Sequence, residues 1–137
     1  DCPYVKKHYD NGATTFNAMH TSWKDKNVVL VGINSGAAGK QGAGLDRSKK
    51  AVADWKIEYP MLLDESGTVG KAFGAKHTPE MVVVNKDGYI AYRGAIDDDA
   101  GDKPGKTNYV AKAVSELLEG KKVTTAETKA YGCAVKY

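Results

Sequence analysis

The sequence predicts an α/β fold in which helices cover a parallel sheet. Three observations carry that reading. The run from Asn27 to Asn34 (Val28, Val29, Leu30, Val31, Ile33) is continuous and β-branched, the pattern of a strand buried on both faces. Apolar residues at helical spacing flank it, with Phe16, Met19, His20 and Trp23 before and Ala51, Val52 and Trp55 after. Farther on, Met81–Val84 and Tyr89–Arg93 read as strands joined across Asn85-Lys86-Asp87-Gly88, a strong hairpin signal.

The elements follow in order. Pro3 to Tyr9 is a short helix, with proline preorganised at its first position and Asn11-Gly12 as the stop signal. A second helix runs from about Ala13 to Lys24, and its ring at His20 is a packing residue rather than a ligand. After the buried strand comes a glycine-rich loop, Ser35 to Gly44, and then a helix capped by Asp46. Met61-Leu62-Leu63 is extended, Asp64-Glu65-Ser66-Gly67 turns, and Thr68 to Phe73 is a brief helix. Behind the hairpin, Thr107 or Asn108 caps a helix that directs Val110, Val114, Leu117 and Leu118 inward and ends at Gly120. The tail over 121–137 shows no clear periodicity.

A chain of 137 residues, 42% apolar and 27% charged, fits one globular domain over 1–137. The net charge of +3 rests on scattered lysines, with Arg47 and Arg93 the only arginines. Nucleic-acid readout favours arginine forks and clustered basic faces, and neither is present, so no nucleic-acid partner is expected. No apolar run approaches the roughly 20 residues of a bilayer span, so no membrane partner is expected either. The loop Gly36-Ala37-Ala38-Gly39-Lys40-Gln41-Gly42-Ala43-Gly44 lacks the Ser or Thr that follows a phosphate-binding lysine and lacks dinucleotide spacing. It reads as a mobile loop. Asp97-Asp98-Asp99 with Asp102 departs from a calcium loop and reads as a solvated acidic turn. No metal and no cofactor is expected.

Chemistry concentrates at Cys2. It stands directly before Pro3, at the mouth of the first helix, where free N–H groups and the helix dipole favour a thiolate; Lys6 and Lys7 add positive charge. The bland alternative is an incidental or packing thiol. Cys2 and Cys133 are too few for a disulfide scaffold or a cysteine zinc site but sufficient for a redox couple. His8 lies nearly two turns beyond Cys2 and reads as a surface or groove histidine.

Several segments together carry a resemblance: Cys2-Pro3-Tyr4-Val5-Lys6-Lys7-His8-Tyr9, Leu62-Leu63-Asp64, Thr78-Pro79-Glu80-Met81, Gly94-Ala95-Ile96-Asp97-Asp98, and Glu127-Thr128-Lys129 with Tyr131-Gly132-Cys133. They resemble the peroxiredoxin-like branch of the alkyl hydroperoxide reductase/thiol-specific antioxidant (redoxin) family, over essentially the whole chain. The resemblance implies a thioredoxin-like three-layer α/β/α fold with a mixed sheet. In that fold a strand feeds the helix that opens this chain, so the N-terminal strands, the central one included, are expected to be missing here. A longer natural chain, or a strand borrowed from a second copy in a homodimer, would complete the sheet. With an upstream export signal the protein would be periplasmic or secreted; the compartment is otherwise open.

The resemblance also implies roles. Cys2 becomes the nucleophile and Cys133 the candidate resolving thiol, if the tail folds back towards it. Thr78-Pro79 becomes a cis-proline turn that faces the cysteine and offers its backbone to a substrate strand, with His77 beside it either a proton carrier or an exposed loop residue. The implied partners are protein or small-molecule thiols and disulfides, or peroxide. Val5 stands where thioredoxins carry their second cysteine and true peroxiredoxins their peroxidatic one. Three readings therefore stay open: a thiol–disulfide oxidoreductase, an antioxidant thiol peroxidase, and a non-catalytic binding module.

Overall fold

The computed structural model describes all 137 residues. The chain opens on α1 (Pro3–Lys6) and continues with α2 (Thr15–Trp23), β1 (Gly32–Asn34), α3 (Leu45–Asp54), β2 (Met61–Leu63) and α4 (Thr68–Ala72). It then forms β3 (His77–Thr78), β4 (Met81–Val84), β5 (Ile90–Gly94), α5 (Tyr109–Leu118) and β6 (Cys133–Ala134). β1 and β2 pair in parallel, with Ile33 opposite Leu62. β4 and β5 form the expected antiparallel hairpin, with an irregularity between Val83 and Val84. β3 and β6 make a third, two-residue antiparallel pair. No ladder joins the β1–β2 pair to the β4–β5 hairpin. No helix is long and apolar enough to cross a membrane.

One core holds the helices against the hairpin. Phe16, Met19 and Trp23 of α2 meet Val83 and Tyr92 of the hairpin and Val110, Ala113 and Val114 of α5, with Ile57, Tyr59, Ile96 and Val123. Burying aliphatic and aromatic side chains of this size is worth about 1.5–3 kcal/mol apiece, before the entropy of ordering them. α5 starts where Asn108 accepts a hydrogen bond from Ala111 N–H at 2.8 Å, so Asn108 rather than Thr107 is the cap.

Three local expectations are corrected. The segment 27–34 contributes a strand only over Gly32–Asn34, and it is not buried on both faces: Val29, Val31 and Ile33 are exposed while Val28 and Leu30 pack against the core. Alternate side chains of an extended chain point to opposite faces, and only one face here meets helices. Gly44, not Asp46, occupies the N-cap of α3, at φ 90, a left-handed conformation that favours glycine; Asp46 stands in the first turn. Trp55 packs against the core as expected, from the C-cap of α3, and stacks on Tyr9 with ring centroids 4.5 Å apart. Leu118 is exposed, because α5 ends as it leaves the hairpin.

Candidate functional site

Cys2 is the N-cap residue of α1, in extended conformation, and its side chain makes no capping bond to the helix. Its sulfur is aimed instead at two partners: it donates to Thr78 O at 3.1 Å and lies 2.7 Å from the sulfur of Cys133. Each of these comes from a different part of the chain. Thr78 ends β3, and the Thr78–Pro79 peptide that follows is cis. Cys133 begins β6 and is the register partner of Thr78 in the antiparallel pair. Both cysteines are half-buried free thiols. Burial first, and then the hydrogen bond with Cys2 and its charge, push the Cys133 thiol above its ordinary value.

The tail reaches this position through a series of anchors. Tyr131 donates its hydroxyl to Asp97, packs edge-on against Tyr4 at 6.0 Å and lies under the Lys7 ammonium, 4.7 Å from the ring centroid. Burial, and then the hydrogen bond to Asp97, push the Tyr131 phenol well above its ordinary value, so it stays a donor. Gly132 follows, at φ 132, where an added Cβ would lie 2.1 Å from Thr78 O; only glycine allows the strands this approach. Beyond Cys133, Val135 N–H bonds to Lys76 O at 3.0 Å, Ala37 N–H to Lys136 O at 2.8 Å, and Tyr137 hydroxyl to Ala75 O at 2.7 Å.

Beneath the thiols lies a group of buried polar side chains. The helix ends at Lys6, and the next turn carries Lys7 and His8 inward. Lys7 Nζ donates to Asp99 O and, at 3.3 Å, to Gly101 O, and lies 4.0 Å from Asp97 Oδ1. Asp97 also accepts from the N–H groups of Asp99 at 3.2 Å and Gly105 at 2.6 Å. His8 Nδ1 meets Thr15 Oγ1 at 3.1 Å; Nε2 has no hydrogen-bond partner and stands 3.9 Å from Asp97 Oδ2. Burial lowers the His8 pKa, opposed by Asp97 and assisted by Lys7, so the ring is neutral and that approach is not an ion pair.

This geometry revises two more expectations. His8 is fully buried rather than a surface or groove residue, because the helix stops one turn early and the chain folds under it. The acidic run is not uniformly solvated: Asp97 is buried among Lys7, Tyr131 and backbone N–H groups, while Asp98 accepts from Thr107 N–H at 3.1 Å. His77 does not bond to Cys2. It pairs with Ala134 across β3–β6 and holds Nδ1 3.6 Å from Glu80 Oε2, whose carboxylate also accepts from His77 N–H at 3.0 Å. The Lys7 charge, expected beside Cys2, is directed instead to Asp97, Asp99 and Gly101, and sequence reasoning missed Asp97 and Tyr131 as supports of the site. The available signal was a lysine and a histidine placed directly after a short helix, in a chain with an otherwise solvated acidic run. No group of three or more His, Cys, Asp or Glu side chains could hold a metal ion.

Comparisons with known proteins bear on the fold and the family. A hypothetical protein from Sinorhizobium meliloti superposes with a TM-score of 0.85 at 26% identity, over 100% of this chain and 74% of that one. An uncharacterized conserved protein from Geobacillus kaustophilus gives 0.88 at 28% identity, over 100% of this chain and 72% of that one. No curated protein matches the chain. The family model described as the AhpC/TSA family matches residues 1–93, from the Cys2 turn through the hairpin. With Cys2 and the Thr78–Pro79 turn inside a match that covers more than half of its residues, the chain belongs to the AhpC/TSA family of thioredoxin-like redox proteins.

Proposed function

We propose that the protein is a thiol–disulfide oxidoreductase in which Cys2 is the nucleophile and Cys133 the resolving thiol. One observation carries the reading: two sulfurs separated by 131 residues of sequence lie 2.7 Å apart. The pairing strand holds Cys133 there, so closure to a disulfide of roughly 2.05 Å needs little motion. The division of roles follows from the raised Cys133 thiol and from position, since Cys2 caps α1 while Cys133 rides on the pairing strand. Burial and contact with Cys2 oppose loss of the Cys133 proton, which leaves Cys2 to attack first. In the first step the Cys2 thiolate attacks one sulfur of a disulfide R–S–S–R, a Cys2–S–S–R bond forms, and R–S⁻ departs and takes up a proton. Cys133, deprotonated as it approaches, then attacks the Cys2 sulfur and expels the second thiol. The protein dithiol is oxidised to Cys2–S–S–Cys133 and the substrate is reduced to two thiols.

Titration with glutathione disulfide tests this. The wild-type chain is expected to lose both thiols and form one intramolecular disulfide, whereas Cys133→Ser stops at a mixed disulfide on Cys2. A Cys2 that does not react, or two cysteines that react independently, overturns the reading in favour of a binding module. The same chains treated with hydrogen peroxide, and scored for sulfenic acid at Cys2, measure the peroxidase alternative.

A further inference from the structure

We propose that the tail over 131–137, docked through the two-residue strand Cys133–Ala134, reserves Cys2 for small, non-peptide disulfides and excludes extended polypeptides while it is docked. This specificity rests on Cys2 being the nucleophile, as above. Thr78 carries the backbone edge next to the Cys2 sulfur, and its carbonyl is 3.1 Å from it. An extended peptide that delivers a sulfur to Cys2 adds a strand to such an edge, taking its affinity from main-chain hydrogen bonds. Here that edge is already paired: Thr78 is the antiparallel partner of Cys133, and His77 of Ala134. The occupant is held on both sides of the sulfur, by Tyr131 on Asp97 before it and by Val135 on Lys76 and Tyr137 on Ala75 after it. It also presents a sulfur where a substrate disulfide would present one, 2.7 Å from that of Cys2. The tail is thus an internal copy of a bound peptide. A compact disulfide needs only an approach to the half-buried Cys2, whereas a polypeptide needs the strand edge as well.

Gly132 supplies the test. A Cβ at that position would lie 2.1 Å from Thr78 O, so Gly132→Ala is expected to push the tail from its seat while leaving the residues at 2, 78 and 79 unsubstituted. In a Cys133→Ser background, formation of the mixed disulfide at Cys2 is timed with glutathione disulfide and with a disulfide-linked dimer of an unstructured decapeptide. With the tail docked, the glutathione reaction is expected to be the faster by about tenfold or more. Gly132→Ala is expected to raise the peptide rate about tenfold and to leave the glutathione rate within about twofold. Tyr131→Phe, which removes the hydroxyl bond to Asp97, provides a second, milder release in the same direction. Equal rates for the two disulfides with the tail docked, or a peptide rate that neither release variant raises, overturns the proposal. A Cys2 inert to both disulfides in every variant instead overturns the redox reading beneath it, and the specificity falls with it.

Discussion

Ile96 and Asp97 are neighbours in sequence and both are almost absent from solvent, yet they belong to opposite environments. Ile96 sits in the apolar core with Tyr92, Val110 and Val114. One peptide later, Asp97 enters a polar group with Lys7, Tyr131 and two backbone N–H groups. The apolar region is stabilised by contact area and tolerates volume-conserving exchange. The polar region is different in kind. A buried ion pair gains little over an apolar replacement once desolvation is counted, but it fixes a direction, and removing one partner strands the other. The lesson is that the core holds the fold together while the polar group sets where the tail, and hence Cys133, must lie.

Breaking this contrast on its polar side gives the largest effect. Asp97→Asn keeps the shape but leaves the Lys7 ammonium, whose side chain is 3% exposed, without its counter-charge. A loss of about 3–5 kcal/mol is expected in urea unfolding, seen as a lower midpoint at unchanged slope. The outcome that would sink the contrast is a cost no greater than that of an exposed charge pair, below about 1 kcal/mol.

A smaller effect is set by pH. His8 is neutral when folded because burial lowers its pKa below the ordinary 6.5, while the unfolded chain retains the ordinary value. As pH falls below about 6.5 the unfolded state takes up a proton that the folded state refuses, so stability falls with pH until the depressed folded value is passed. The slope contributed by one proton is at most about 1.4 kcal/mol per pH unit. A His8→Asn chain, compared with wild type by unfolding at pH 7.5 and 5.5, should show less of this acid loss.

The smallest effect lies on the apolar side, at the start of the helix that covers the core. Asn108→Ala deletes the bond to Ala111 N–H and is expected to cost about 1 kcal/mol, with no change in the reactivity of either thiol. If that variant altered thiol reactivity, the two regions would not be separable in the way argued.

What the sequence disclosed follows the same division. The hairpin across Asn85–Gly88, the helices around Phe16, Met19 and Trp23, and the inward face of Val110 and Val114 are written in local periodicity and turn chemistry, and they stand in the structure as read. The Cys2 turn and Thr78-Pro79 were legible as a motif. The polar group was not, because its members come from four separated stretches, and a buried lysine or aspartate carries no local mark that tells it from a solvated one. The extent of the strand around Val28 failed for a related reason: a run of β-branched residues states a preference for extended backbone but not how many faces will be covered. The two-residue β3–β6 pair was too short for any periodicity to announce.

The brevity of that pair has a consequence for how the tail can change. Only Cys133 and Ala134 belong to the strand; Tyr131 and Gly132 precede it, and Gly132, at φ 132, bends the chain between the Tyr131 anchor and the thiol. An added residue there would lengthen the path from anchor to thiol, and a two-residue pair has no further ladder to hold Cys133 opposite Thr78. The spacing Tyr131-Gly132-Cys133 therefore works as a ruler, and a change in its length is expected to pull the couple apart.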